Sequence, residues 1–368
     1  MKVRIVCYED VQAWILGKFA LRMHDCLKQL GVESEIEKSP DNTADINHHL
    51  IYGGYDGKKH GIDTLMITHI DNIDKLNLVK KQMTIASAGI CMSSETMQYL
   101  FEMGVDKNKL CYVNPAHDCV MSIRKIVIGI ACRVQDDGRK RENFLGKLAK
   151  ILDARIFKFR IMGDSWETQV NNLREKGFEV DYFDHFDYSE YVKFIPSLDY
   201  YLYMGMDEGQ MGFIDALAAG IKTIVTAQGY HLDAPNAIVH PFKNYEELKS
   251  ILLSLEQEKK MLINSVATWN WSDYTKKHVE IWSYLLDNHK NKSVFIDGLN
   301  TLLSFKYSSS KTDSKFVISK TKDLKKAKYS HFFFTVKRRT KEIYDAKGIS
   351  GLILMMSKYL LRKLYQQN

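Results

Sequence analysis

No C-x-x-C pair occurs among the six cysteines, and no spacing of cysteine, histidine and acid spells a metal site. Cysteines scattered in this way fit reduced thiols in a cytosol and argue against a disulfide frame. With only five prolines in the chain, no proline-rich linker separates its parts. No apolar run approaches the ~18 residues of a membrane-spanning helix. There is no G-x-x-x-x-G-K-[ST] phosphate loop and no Ser-His-Asp order. The segment "GIACRV" is not G-x-G-x-x-G, which counts against a dinucleotide dehydrogenase. The opening "MKVRIVCYED" reads as a strand rather than a signal peptide, because its apolar run is short and charge follows at once.

What is present is core-building material and an uneven charge. The 368 residues are 45% hydrophobic and 11% aromatic, a length and composition that suit two domains. The net charge is +7, but from Lys290 onward 18 Lys/Arg stand against 5 Asp/Glu, so the body is acidic and the tail strongly basic. Such asymmetry points to a polyanionic partner for the tail, a membrane surface or a nucleic acid.

Short apolar runs alternate with helical patterns along the body. "VRIVCY", "ADINHHLIY", "DTLMITHI", "TIASAGICMSS" and "KLCYVNPAHD" read as strands, with helices at residues 17–30 and "SETMQYLFEMGV". The rhythm pauses near Asp118–Lys125 and restarts at "KIVIGIACRV". It continues through "ARIFKFRIMG", "WETQVNNLREKG", "FEVDYF", "DYSEYVKFIPSL", "DYYLYMG", "GFIDALAAG" and "KTIVTA". Strands alternating with helices imply parallel sheets, so the expectation is α/β: two doubly wound, Rossmann-like domains. Their bounds are 1–122 and 123–271, followed by a closing helix at 272–290 that returns to the first domain and starts at a Ser272 cap. The basic tail, 291–368, ends in an amphipathic helical pattern with Ile349, Leu352, Ile353, Met356, Leu360 and Leu364 on one stripe.

In such folds ligands sit at the carboxyl ends of strands, and the stretch "YMGMDEGQMGFIDALAAGIKTIVT" supplies chemistry there. Asp207 and Glu208 close a strand. Gly209 and Gly212 permit close backbone approach before a helix start, whose free N–H groups suit a diphosphate. Asp215, inside that helix, is placed to take a ribose diol; its plainer reading is an acid stabilised by the helix dipole. Arg133, at a strand end, and the "DDGRKR" loop with Arg139, Lys140 and Arg141 offer cations for a leaving diphosphate. Arg139 and Arg141 read as solvent-facing. In the first half, His69 at a strand tip can bond a donor hydroxyl or help with an acceptor proton. Gly17 and Lys18, before the first helix, and His48, at another strand tip, are the acceptor-side candidates.

"DEGQMGFIDALAAGIKTIV" resembles the acid-x7-acid segment of GT-B glycosyltransferases of family 4, E-G-F-G-x-x-x-x-E-A-M-A-x-G-x-P-V-V. "KIVIGIACRVQDDGRKRENFL", "FRIMGDSWE", "DYFDHFDYSEYVKFIPSLDYYLYMG" and "KLCYVNPAHD" resemble further segments of that family, in order, over residues 85–290. The resemblance implies two domains facing across a cleft and a hexosyltransferase-type enzyme. Its donor is a nucleotide-diphosphate sugar, transferred with retention and without a covalent intermediate, cofactor or metal. It implies that Arg133, Lys140, Gly163, Gly209, Gly212, Phe213 and Asp215 bind the donor, and that Asp207 and Glu208 are catalytic; His69 joins the catalytic candidates on its own strand-tip reading. Asp207 has the seven-residue spacing to Asp215 and Glu208 is the acid next to glycine, so either carboxylate can face the donor. The family's proline is replaced by Gly212 and its helix glutamate by Asp215.

Together these imply a glycan or polyprenyl-linked acceptor, bacterial surface-polysaccharide synthesis, and attachment to the cytoplasmic face of the plasma membrane through the basic tail, whose plainer reading is a helix packed on the body with a solvated basic face. The rivals are a nucleotide-sugar epimerase of the same fold and a nucleic-acid-binding protein led by "FFFTVKRR". The acidic body argues against the second, and no nucleic-acid partner is expected.

Overall fold

The computed structural model describes residues 1–234 and 236–287. The basic tail at 291–368, and every expectation placed on it, lies outside the described residues. Contacts divide the chain into two units, Met1–His117 joined by the segment from Trp269 onward, and Asp118–Thr268.

The first unit runs β1 (Lys2–Val6), α1 (Ile15–Gln29), β2 (Glu33–Glu37), β3 (Ile46–His49), β4 (Ile62–Ile67), α2 (Ile73–Met83), β5 (Ala88–Cys91), α3 (Ser94–Glu102) and β6 (Leu110–Tyr112). All six strands are parallel, in the order β2-β1-β3-β4-β5-β6. The second unit runs β7 (Ile126–Ala131), α4 (Asn143–Leu148), β8 (Phe157–Met162), α5 (Glu167–Glu175), β9 (Glu179–Phe183), α6 (Tyr188–Phe194), β10 (Tyr200–Tyr203), α7 (Met211–Ala218), β11 (Lys222–Thr226), β12 (His240–Phe242) and α8 (Tyr245–Asn264). Its parallel sheet is ordered β12-β11-β10-β7-β8-β9. The last described helix, α9 (Trp271–Leu286), belongs to the first unit.

Both sheets are covered on both faces, which is why their strands read as continuous apolar runs. In the second unit, Ile128, Phe157, Phe159, Trp166, Leu173, Leu202, Leu248 and Leu252 pack together on one face. Phe194, Leu198, Tyr201, Phe213, Ala216 and Val225 pack on the other. Each such fully buried Leu or Phe contributes about 1.5–3 kcal/mol. In the first unit, α9 lays Trp271 and Tyr274 edge-on against Phe19 of α1, with ring centroids 5.0 and 5.7 Å apart. The His117 N–H donates to the Trp269 carbonyl at 2.8 Å where the chain rejoins this unit.

Helix starts follow side-chain capping. Asn72, Ser93, Asp187, Asn244 and Asn270 accept from backbone N–H groups one turn on. Asn270, not Ser272, caps α9, because its side-chain oxygen meets the Asp273 N–H at 2.9 Å and Ser272 already lies within the helix. β2, α2, α4, β12 and α8 are absent from the expected element set. β2 is a charged edge strand, "ESEIE", with neither end buried. α8 carries a plain helical stripe in Leu248, Leu252 and Leu255.

Three acceptor-side expectations change. His48 is fully buried: its Nδ1 meets Thr64 Oγ1 at 2.9 Å, and its ring lies 5.0 Å from His278 and 5.4 Å from Trp282. It is a core residue under α9 and lines no accessible surface. Gly17 lies inside α1 rather than before it, buried where a Cβ would drive into the Val11 backbone. It is a packing glycine. Lys18 likewise sits in the first turn of α1 and is half-buried.

Candidate functional site

In the second sheet the strand order reverses between β7 and β10, so the connections leave on opposite faces and a crevice opens at the carboxyl ends. A pocket of about 410 Å³ lies there, lined from Ala131 to Arg133 after β7, Met162 to Asp164 after β8, Phe186, Tyr188 and Tyr191 around α6, and Gln210 to Gly212 and Asp215 at α7. The arrangement brings together Arg133, Gly163, Gly212 and Asp215, all named from the sequence. Arg133 is exposed, and its guanidinium has no hydrogen bond or ion pair with any described residue. Asp215 accepts a hydrogen bond from the Tyr191 hydroxyl at 2.6 Å. Burial, with that bond, pushes the Tyr191 phenol up, so it stays a donor.

The α7 end of the pocket is built from backbone. The first N–H groups of a helix have no partner within it, and Met211 and Gly212 bring that end to the pocket wall. Gly163 has φ +137°, and a Cβ there would enter the Cys132 carbonyl, so the β7 and β8 loops approach as closely as they do only with glycine. Gly209 is shaped in the same way, with φ +140° and the Tyr230 ring where a side chain would stand.

Beside the pocket, the loops after β7 and β10 meet in a charged knot. Lys140 Nζ donates to Asp207 Oδ2 and to Tyr203 Oη, both at 2.7 Å, and Arg139 Nη1 lies 3.5 Å from the same carboxylate. The Tyr203 hydroxyl donates to Asp207 at 2.7 Å. Burial alone would raise the Asp207 pKa, but the bonds from Lys140 and Tyr203 and the charges of Lys140 and Arg139 outweigh it and hold the carboxyl below its ordinary value. Asp207 therefore orders cations. Glu208 is exposed, and its carboxylate has no hydrogen bond or ion pair with a described residue.

Other placements differ from the sequence reading. Arg141 is not solvated: its Nε donates to the Met204 carbonyl at 2.5 Å, Nη1 to the Lys243 carbonyl at 2.8 Å and Nη2 to Thr226 Oγ1 at 2.8 Å. Phe144 and Phe242 flank it. It holds the β7 loop to the ends of β10, β11 and β12, with φ +51°. Arg139 likewise bonds Gln135 at 2.8 Å instead of facing water alone. Phe213 is buried at 1% exposure, so its ring fills the core and is not among the residues lining the pocket. His69, just past β4, is exposed, with Nε2 3.2 Å from Lys75 Nζ and 3.8 Å from Asp71.

Two clusters escaped the sequence reading. Around α7, the Gln210 side chain donates to the Ala131 carbonyl at 2.7 Å, and its backbone N–H donates to His231 Nε2 at 3.0 Å. In the first unit, Tyr8 Oη lies 2.6 Å from His49 Nδ1, and His49 Nε2 lies 3.1 Å from Asp63, which is itself buried. Among the described residues, no group of three or more His, Cys, Asp or Glu is set to hold a metal ion, and no helix is long and apolar enough to cross a membrane.

No family model matches the chain, and no curated protein matches it. Solved structures that are similar include Anabaena HepE in complex with UDP and glucose, at 11% identity over 77% of this chain and 99% of that one, TM-score 0.31. The lipopolysaccharide outer core galactosyltransferase WaaB is similar at 12% identity over 78% of this chain and 99% of that one, TM-score 0.32. A glycosyltransferase from Rickettsia africae is similar at 14%, 78% and 99%, TM-score 0.31. At these values the functional reading rests on the site's own residues.

Proposed function

We propose that the chain is a glycosyltransferase whose second unit binds a nucleotide-diphosphate sugar. One observation carries the reading. A guanidinium with no partner among the described residues (Arg133), a helix start (α7) and a carboxylate already ordered by a tyrosine (Asp215) share one pocket at the strand-order reversal. Cation and helix start suit a diphosphate. A carboxylate beside aromatic walls suits a ribose under its base.

In the proposed reaction the bond from the anomeric carbon to the diphosphate breaks and the electron pair leaves with the diphosphate. Cations that bind the diphosphate better as this charge develops lower the barrier. Arg133 supplies one, and Lys140 with Arg139, held by Asp207, supplies the others; this is the role proposed in place of a metal. Glu208 is the carboxylate free to orient sugar hydroxyls and to stabilise positive charge at the anomeric carbon. The acceptor oxygen bonds that carbon on the face the diphosphate leaves, which gives retention, and its proton passes to the departing diphosphate. The acceptor is proposed to be a glycan or a polyprenyl-linked sugar, with His69 and the first unit on the acceptor side, in the synthesis of bacterial surface polysaccharide. The basic tail is proposed to hold the enzyme on an anionic, cytoplasmic leaflet at about 1 kcal/mol per well-placed Lys or Arg.

A thermal-shift panel of UDP-, GDP-, ADP- and CMP-sugars tests the reading. One donor is expected to stabilise the wild type, and Asp215→Ala and Arg133→Ala are each expected to shrink that shift. A panel with no shift, or two variants that respond like the wild type, would show the site to be misplaced.

A further inference from the structure

His231 does not line the pocket; it is fully buried behind one of the lining residues, Gln210. Its ring sits against Phe213 at 4.5 Å, Tyr230 at 5.5 Å and Tyr203 at 5.8 Å. Each ring nitrogen has one partner. Nδ1 faces the Thr226 carbonyl at 2.9 Å, and Nε2 faces the Gln210 N–H at 3.0 Å. A carbonyl can only accept and an N–H can only donate. The ring is therefore neutral, with its proton on Nδ1 and its lone pair aimed at the residue that starts α7.

That bond falls on the residue from which α7 begins. Gln210 is the N-cap residue of α7, but its side chain makes no cap bond to the helix. Its amide instead reaches the Ala131 carbonyl at the end of β7, and its carbonyl oxygen accepts from Tyr201. The backbone N–H of Gln210 goes to His231. With Gln210 held at three points, no side chain of a described residue caps the start of α7, and Met211 and Gly212 stand at the pocket wall. Thr226 and Ala131, which anchor the arrangement, end β11 and β7, so the helix start is fixed to the sheet itself.

We infer that His231 is a positioning residue that sets the start of α7 as the diphosphate-binding edge of the pocket, through its Nε2 lone pair on the Gln210 N–H. This rests on the proposed nucleotide-sugar reading and deepens it. The bond acts at the first N–H groups of α7, which are proposed to face the phosphates; Asp215, the proposed ribose contact, lies one turn further along and has its own anchor in Tyr191.

Two substitutions separate positioning from mere filling. In His231→Asn the side chain ends where Nδ1 lies: it can still donate to Thr226 but falls short of Gln210. In His231→Gln the amide oxygen reaches the place of Nε2 and restores the acceptor. Binding of UDP, GDP and ADP and of the matching nucleosides is measured for the wild type and both variants. For the diphosphate the wild type binds best, His231→Asn is expected to bind about tenfold more weakly, which corresponds to about 1.4 kcal/mol. Nucleoside affinity stays within about twofold, and His231→Gln recovers to within about threefold of the wild type. Wild-type diphosphate affinity in folded His231→Asn, or equal losses for nucleoside and diphosphate, would overturn the inference while leaving the nucleotide-sugar reading intact. If the wild type binds none of the diphosphates, that reading falls and takes this inference with it. Nitrogen-15 NMR of the wild-type histidines gives a check that needs no variant: His231 must be neutral with its proton on Nδ1, and a charged ring or an Nε2–H tautomer overturns the assignment.

Discussion

Arg133 and Arg141 share one loop and do different work. Arg133 ends in solvent at the pocket, while the guanidinium of Arg141 is spent on two carbonyls and a threonine hydroxyl. Arg133→Ala is therefore expected to leave the urea unfolding midpoint unchanged while weakening nucleoside-diphosphate binding about tenfold, the loss of one charge-assisted contact. Arg141→Ala is expected to lower stability by about 3 kcal/mol in urea unfolding, because it strands buried acceptors. Composition cannot separate the two. Both are arginines near a strand end, and only the fold shows which one has carbonyls in front of it. The same holds for His48 and His49. Neighbours in a strand point to opposite faces, so the sequence places a histidine pair on β3 but does not say which face α9 covers. His48 faces α9, and His49 meets Tyr8 and Asp63.

At the scale of elements, the alternating pattern shows both parallel sheets, because fully buried strands have to be apolar on both sides. It shows less of the edges. β2 is charged and half-exposed, and β12 has three residues, so neither produces an apolar run. The acid-glycine stretch locates the α7 start, and Asp215 and Gly212, both named from it, line the pocket. Gln210 and His231 stay hidden because their role depends on backbone partners brought in from β7 and β11. α9 carries a consequence for acid stability. Burial takes the His278 pKa down to about 4, partly opposed by its bond to the Tyr274 carbonyl. Burial, with the nearby His278 and His49, also lowers His48 well below its ordinary value. The unfolded chain titrates near about 6.5. Between there and about 4 it binds protons that the folded ring refuses, so stability falls as pH falls through that window. Tryptophan fluorescence in urea is expected to show a loss of about 2 kcal/mol from His278 alone between pH 7 and pH 5. His278→Gln is expected to flatten that slope; an unchanged slope would mean the ring is not held neutral.

For the whole molecule, two α/β units are built from one chain, and the first is completed only when Trp269 rejoins it. The proposed donor pocket is lined wholly by residues of the second unit, at the ends of a single sheet. In the proposed reaction this pocket, and no other surface, takes the nucleotide sugar. Hydrogen-exchange mass spectrometry of the full chain, with and without the donor that gives the largest thermal shift, tests it most directly. Donor-dependent protection is expected in the segments at 131–134, 162–164 and 210–215, lost in Arg133→Ala at the same donor concentration. Protection confined to other segments of the second unit, or unaltered in that variant, would contradict it.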